Sequence, residues 1–382
     1  MNKRIYLSPP HMNGSEIGFV EKAFQENWIA PAGPNLSGFE QDVCGYLGMK
    51  SAVALSSGTA ALHLALKYFG IGKGDLVLCS DLTFSGSCNP VIYQGAQPVF
   101  IDAEYESLNI CPAALERALC ASKQKGTLPK AIIIVDVFGQ SADYERLLPV
   151  CRDYGVTVIE DAAEALGAQY KGKKCGTIGA VGILSFNGNK IITTSGGGMA
   201  VSDDEKLIRK LHFWANQSKE EADYYLHKEL GFNYRMSNIC AGIGRGQIQT
   251  VDDRVEARKA IYEQYKKVFS DLPVKMQPVL SGCEPNYWLS IVIINKDCEV
   301  KPDTVIKVME AQNIEARRMW YPMHCQPFFK GYDYFTACEK SVSEDIFERA
   351  VCLPSGSAMT PEEQERVCAA FRRAFGEGYY AG

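Results

Sequence analysis

The chain predicts an α/β layered fold, with a larger domain over residues 1–270 and a smaller α+β domain over residues 271–382. Three observations predict it. From Ser51 onward, short apolar runs alternate with amphipathic stretches, the pattern of strands joined by crossover helices. Several runs, such as LVLCS and AIIIVD, are almost wholly apolar, as strands covered on both faces are. Near Asp271–Pro273, a long run of helix formers gives way to proline-bearing sequence, which marks the boundary.

Taken in order, Ala52–Leu55 reads as a short strand that stops at SSGT. Ala60–Tyr68 follows with helical apolar spacing at Leu62, Leu64, Ala65 and Leu66. Residues 76–80, 98–102, 131–136 and 156–161 are buried-strand candidates, and Pro112–Ser122 and Tyr144–Asp153 are the crossover helices that parallel strands require. AVGILSF and the glycine-rich TTSGGGMAV add two more strands around a turn. Residues 237–270 carry one long charged helical pattern, and Trp288–Ile294 reads as a strand of the smaller domain.

Composition narrows the function. Apolar residues make up 46% and charged residues 22%, the balance of an ordinary globular protein. The net charge of −5, with no basic run, argues against nucleic acid and anionic membrane as partners. The opening MNKRIYLSPPHMNGSE turns polar too early for a signal peptide or membrane span, so a cytoplasmic location is expected. Fourteen cysteines are scattered without a CxxC pair and read as reduced thiols. Five histidines show no ligand spacing, so no metal is expected.

Four features fall in the order that a phosphate-bearing organic cofactor needs. Ser56-Ser57-Gly58-Thr59 lies between strand and helix, where free N–H groups and the helix dipole suit a phosphate. Taken alone, it is equally an N-cap. Asp161 ends a predicted parallel strand and so points into the crevice where α/β folds bind ligands. There a carboxylate keeps a pyridine nitrogen protonated; for an isolated aspartate, helix capping is the plainer role. Lys190, in SFNGNK, follows a buried strand, and burial makes a lysine a competent amine nucleophile. Gly196–Gly198 would let the backbone approach the lysine loop closely, or simply form a tight turn.

With these residues in view, the chain resembles the DegT/DnrJ/StrS sugar aminotransferases over about residues 7–360, most specifically in SSGTAALHLAL, EDAAEALGAQYKGKKCGTIG, SFNGNKIITTSGGGM and GFNYRMSN. It is more closely similar to the branch that makes UDP-N-acetylbacillosamine, through SPPHM, NWIAP, WLS, MWYPMHCQPFFKG and CLPSGSAM. The resemblance implies the aspartate-aminotransferase type of fold, with a mainly parallel seven-stranded sheet, and pyridoxal 5'-phosphate as cofactor. Lys190 would carry the cofactor as a Schiff base and move protons, and Asp161 would pair with its ring nitrogen. Gly58, Thr59 and Ser185 would hold the phosphate, Phe84 and Ala163 would cover the ring faces, and Glu164 would sit by the ring hydroxyl. Asn233 would reach the neighbouring subunit's cofactor, which implies a homodimer with shared active sites. The sugar nucleotide is expected near Asn27, Trp28, Ile29, Ala30, Arg317, Trp320 and His324.

Two positions depart from the pattern. Glu164 stands where the broader family often has glutamine or histidine, and Arg318 where the branch has proline. Lysine at 190 argues against the dehydrase offshoot, in which histidine replaces it. The expected reaction carries nitrogen from L-glutamate to the 4-keto carbon of a nucleotide-linked 6-deoxy sugar, UDP-linked and 2-acetamido-substituted. Other nucleotides, a pyridoxal-phosphate lyase and a regulatory pyridoxal-phosphate protein are the rival readings.

Overall fold

The computed structural model describes residues 3–376. Its centre is an eight-stranded sheet built from β1 (Ser51–Leu55), β2 (Leu76–Ser80), β3 (Gln97–Ile101), β4 (Ala131–Val135) and β5 (Thr157–Asp161). After the short hairpin of β6 (Gln169–Tyr170) and β7 (Lys173–Lys174), β8 (Val181–Ser185) and β9 (Gly198–Ser202) join the same sheet. The spatial order is β1-β9-β8-β5-β4-β2-β3, with β14 (Tyr334–Phe335) added parallel to β3 at the far edge. Seven strands were expected. The eighth is only two residues long, and its chain segment carries no apolar run to announce it.

Alternation along the strands builds two layers. Ile133 and Val135 face one apolar cluster with the Gly58–Tyr68 helix, while Ile132 and Ile134 face a second with the Pro112–Lys125 and Tyr144–Asp153 helices. The same alternation sends Asp161 to the side of Ile159, toward the Gly58–Tyr68 helix, and Glu160 to the opposite side. All neighbouring pairs from β14 to β8 are parallel, so their carboxyl ends share one edge. Only β9 runs against its neighbours.

The second sheet is antiparallel: β10 (Val274–Met276), β12 (Ser290–Ile294), β15 (Ala350–Leu353) and β13 (Arg317–Arg318). It has its own core, including Tyr265, Phe269, Val292, Val351 and Phe371. A small patch pairs β11 (Cys283–Glu284) with β6. Two segments cross the division expected at residue 270: Ile5 bridges Ile314 beside the second sheet, and β14 joins the first.

The single long helix expected over residues 237–270 is two, Asn238–Ile248 and Val251–Val268. The first half is glycine-rich because other elements press on it. A Cβ on Gly244 would lie 2.6 Å from the Phe39 ring. All fourteen cysteines are free, as expected. No described helix is long and apolar enough to cross a membrane.

Candidate active site

A cavity of about 350 Å³ opens at the carboxyl edge of the large sheet, between β1, β5 and β8 and the start of β12. At one end, β1 stops and SSGT turns into the Gly58–Tyr68 helix. Ser57 caps it, its hydroxyl accepting from the Ala60 N–H at 3.0 Å. The N–H groups of Gly58 and Thr59 precede Ala61, the first intrahelical donor, and are left free at the cavity as an anion cradle. Ser185, at the end of β8, borders this cradle: a Cβ on Gly58 would lie 3.5 Å from that of Ser185.

Two glycines of the run meet the segment that carries the lysine: Gly198 pairs with Ser185 across the two strands, and the Gly197 carbonyl accepts from the Phe186 N–H at 2.9 Å. Gly198 also abuts the helix start, where a Cβ would fall 2.2 Å from the Gly58 nitrogen, and a Cβ on Gly196 would meet nothing within 4 Å. Glycine at 198 is therefore a condition for the cradle.

At the other end sits Asp161, 3% exposed. Its Oδ2 accepts from the Ser87 hydroxyl at 2.7 Å and its Oδ1 from the Ala163 N–H at 3.2 Å. Burial pushes its carboxyl above the ordinary range, while Ser87, Ala163 and Lys190 pull it back. Among the described residues no cationic side chain bonds it directly, so the carboxylate is suited to a cationic ring nitrogen.

Lys190 lies between the two ends, in a loop closed by its own N–H on the Asn187 carbonyl at 3.0 Å. Next to it, the Asn189 carbonyl accepts from Trp288 Nε1 at 2.6 Å and from the Ser8 hydroxyl at 2.7 Å, pinning the loop from two remote segments. The amine stands 4.0 Å over the Trp288 ring and 3.6 Å from Glu164 Oε1. Burial lowers the lysine and raises the glutamate, each opposed by the other's charge. Both shifts favour the neutral pair, the state in which the amine is a nucleophile. Glu164 is itself fixed by the Phe138 N–H at 2.8 Å, and Phe138 has a left-handed backbone (φ 55°).

An aromatic wall closes one side. Phe84 packs 6.0 Å from Trp320, which stacks on Phe138 at 5.8 Å. Through Thr83, Phe84 and Trp320 the cavity continues into a cleft of about 570 Å³, bordered by Tyr93, Tyr321 and Phe328.

The cavity thus gathers Gly58, Thr59, Phe84, Asp161, Ala163, Glu164, Ser185, Lys190, Arg317 and Trp320. Arg317 is exposed and paired with Glu315 at 2.6 Å. Asn27–Ala30 and Asn233 are exposed and lie outside the lining of their own chain's cavity. His324 also lies outside it. Its Nδ1 meets Asp81 Oδ2 at 2.8 Å, and its ring stacks on Tyr334 at 3.8 Å. Sequence reasoning missed Ser87, Asn189, Trp288 and Ser8, which position the reactive groups. The arrangement fits a phosphorylated pyridine: donors for an anion at one end, an amine in the middle, and an unpaired buried carboxylate at the other.

Comparison with known proteins agrees with this geometry. The model of the DegT/DnrJ/EryC1/StrS aminotransferase family matches residues 10–372. The chain is 49% identical over 369 residues to EpsN of Bacillus subtilis (strain 168), assigned as a pyridoxal phosphate-dependent aminotransferase; the match covers 96% of this chain and 95% of EpsN. It is 36% identical to the GDP-perosamine synthase of Caulobacter vibrioides, over 96% and 97% of the two chains. Among solved structures, a DegT DnrJ EryC1 StrS aminotransferase from Brucella abortus superposes with a TM-score of 0.88 at 28% identity, over 95% and 96% of the chains.

Proposed function

The chain belongs to the DegT/DnrJ/EryC1/StrS aminotransferase family and works with pyridoxal phosphate, and on that premise we propose that it aminates the 4-keto carbon of a nucleotide-linked 6-deoxy sugar. L-Glutamate is the donor, and the preferred acceptor is a UDP-linked 2-acetamido-4-keto sugar. One observation carries the reading: the lysine, the buried carboxylate and the helix N-terminus line one cavity, and an aromatic cleft opens from it with room for a bulky substrate.

When bound, pyridoxal phosphate supplies a carbonyl carbon that takes up nitrogen and a ring that accepts the electron pair of a broken C–H bond. The residues do the rest. Gly58, Thr59 and Ser185 bind the phosphate. Asp161 holds a proton on the ring nitrogen, and Ser87 holds Asp161. Phe84 and Ala163 confine the ring faces, and Glu164 stands by the ring hydroxyl. Lys190, whose pKa burial lowers, accepts the substrate proton and returns it in each half-reaction. Arg317 meets the diphosphate with a forked, charge-assisted contact, and Trp320 packs against the sugar.

The UDP-acetamido preference is supported by the branch-like stretch MWYPMHCQPFFKG, which supplies Trp320, Tyr321, Met323, Gln326, Phe328 and Phe329 to the cleft. A GDP-linked keto sugar is the second reading, favoured by the likeness to perosamine synthases. Comparing kcat/KM for UDP-, GDP- and dTDP-linked 4-keto sugars, with amine formation read by mass, decides between them. The UDP-acetamido sugar is expected to lead by about tenfold or more, since a site that hydrogen-bonds the acetamido group leaves buried polar groups unpaired without it. A higher value for either other sugar overturns the specificity and leaves amine transfer standing.

The active site is shared between two subunits. Trp28, Ile29 and Asn233 are exposed away from their own cavity, as residues that serve a neighbour's cavity would be. Refolding Lys190→Ala chains together with Asn233→Ala chains produces heterodimers in which one site carries both lesions and the other neither. About half the wild-type activity per heterodimer is expected. Verified heterodimers without recovery would refute the shared site.

A further inference from the structure

His324, Cys325 and Glu344 have no part in the chemistry above, yet the fold brings them together. Each offers one donor atom, and the three donors lie within 4.8 Å of one another. His324 Nε2 is 3.2 Å from Glu344 Oε1 and 3.2 Å from Cys325 Sγ. With bonds of about 2.0–2.3 Å, two ligands on one tetrahedral zinc ion stand roughly 3.3–3.6 Å apart. The two pairs that include His324 Nε2 are therefore within a few tenths of an ångström of coordinating distance, and the third pair, Cys325 with Glu344, lies within 4.8 Å.

A second observation points to a ligand. Asp81 is fully buried, and its carboxylate takes both the Nδ1 of His324 (2.8 Å) and the backbone N–H of the same residue (2.8 Å). It also accepts from the Ser343 hydroxyl. This fixes the ring and leaves Nε2 facing Cys325 and Glu344, the carboxylate–histidine arrangement that orients metal-bound imidazoles. Stacking on Tyr334, with the planes 12° apart, holds the ring from its face. Glu344 is half-exposed, so an ion has a way in and a water has room in the fourth position.

We propose that His324, Cys325 and Glu344 form a three-ligand zinc site. Mixed nitrogen, sulfur and oxygen donors suit Zn²⁺ and exclude the all-oxygen cages of Ca²⁺ and Mg²⁺. Uptake forms one Zn–N, one Zn–S and one Zn–O bond. It releases to water the thiol proton and any proton on Nε2. The ion joins the Met323–Gln326 segment, which lines the aromatic cleft, to the Val342–Arg349 helix, and so stiffens one wall of that cleft. The proposal is independent of which sugar is aminated.

The test uses the cofactor-loaded full-length protein, stripped with a chelator and given one equivalent of Zn²⁺ or Co²⁺. The wild type is expected to keep about one zinc per chain through desalting, to show the visible bands of tetrahedral Co²⁺, and to lose Cys325 alkylation when zinc is present. Cys325→Ser should retain background zinc only, and Glu344→Gln should bind about tenfold more weakly or worse. Alkylation of Cys325 in the wild type needs no variant, so a misfolded Cys325→Ser does not block the test. Equal zinc in all three proteins, or Cys325 alkylation unaffected by zinc, overturns the proposal.

Discussion

Replacing Lys190 by alanine is expected to lower kcat by roughly 10⁴-fold, the upper end of what a positioned proton-transfer group supplies. Lys190 is the only amine-bearing side chain lining the cavity among the described residues, so no second amine takes its place. The variant should still bind pyridoxal phosphate, because the Gly58–Thr59 cradle and Asp161 are separate from the loop. That cofactor should wash out on gel filtration and lack the yellow band of the lysine-linked form. A protein that keeps the band, or keeps activity within tenfold of wild type, would show that the amine lies elsewhere.

Asp161→Asn should pull activity and stability in opposite directions. In the cofactor-free protein the carboxylate is buried without a cation bonded to it, and burial raises its pKa. Asparagine removes that charge; its Oδ1 still accepts from the Ala163 N–H, and its amide donates to the Ser87 hydroxyl, which turns its own proton to Thr83, so the apo protein should melt at the same temperature or higher. With cofactor bound, losing one member of a buried charge pair costs about 3–5 kcal/mol, a fall of roughly 10²–10⁴-fold in kcat/KM. Calorimetry of the apo protein and steady-state kinetics of the loaded protein check the two halves. A variant that is both inactive and unstable would mean that Asp161 serves the fold more than the ring nitrogen.

The parts of this site that sequence makes legible are local. Lys190, Asp161 and SSGT each sit at the end of an apolar run, and strand alternation and helix-start chemistry say where such residues point. β1 to β5 and β8 lie within a residue or so of their predicted places because full burial demands unbroken apolar runs, whereas β9 starts later than its glycine-rich stretch and β14 has no such run. What stays hidden is assembled from far apart. Ser87 reaches Asp161 across 74 residues, Trp288 reaches Asn189 across 99, and Ser8 reaches Asn189 across 181. Ser87 looks like any serine in SGSCN, and Ser8 like any serine before two prolines. The approach of Gly198 to the Gly58 nitrogen is hidden for the same reason: a residue without a side chain carries no local sign of what it touches. Spacing along the chain likewise cannot show that Glu344 folds back beside the adjacent His324 and Cys325.

The reversed direction of β9 decides how the reactive amine is delivered. Two parallel strands would have needed a crossover that carries the chain to the far side of the sheet and back. An antiparallel partner lets β8 return at once, so residues 186–197 form a loop anchored at both ends on the rim where the cavity opens. The length of such a tether is then tuned by reach and scarcely by folding energy. Doubling a loop costs only about 0.6 kcal/mol in closure entropy, whereas displacing a catalytic group by about 1 Å costs on the order of a hundredfold in rate. An inserted residue between Asn187 and Lys190 would therefore cost far more in turnover than in closure entropy, a lesion that kinetics reads more sharply than calorimetry.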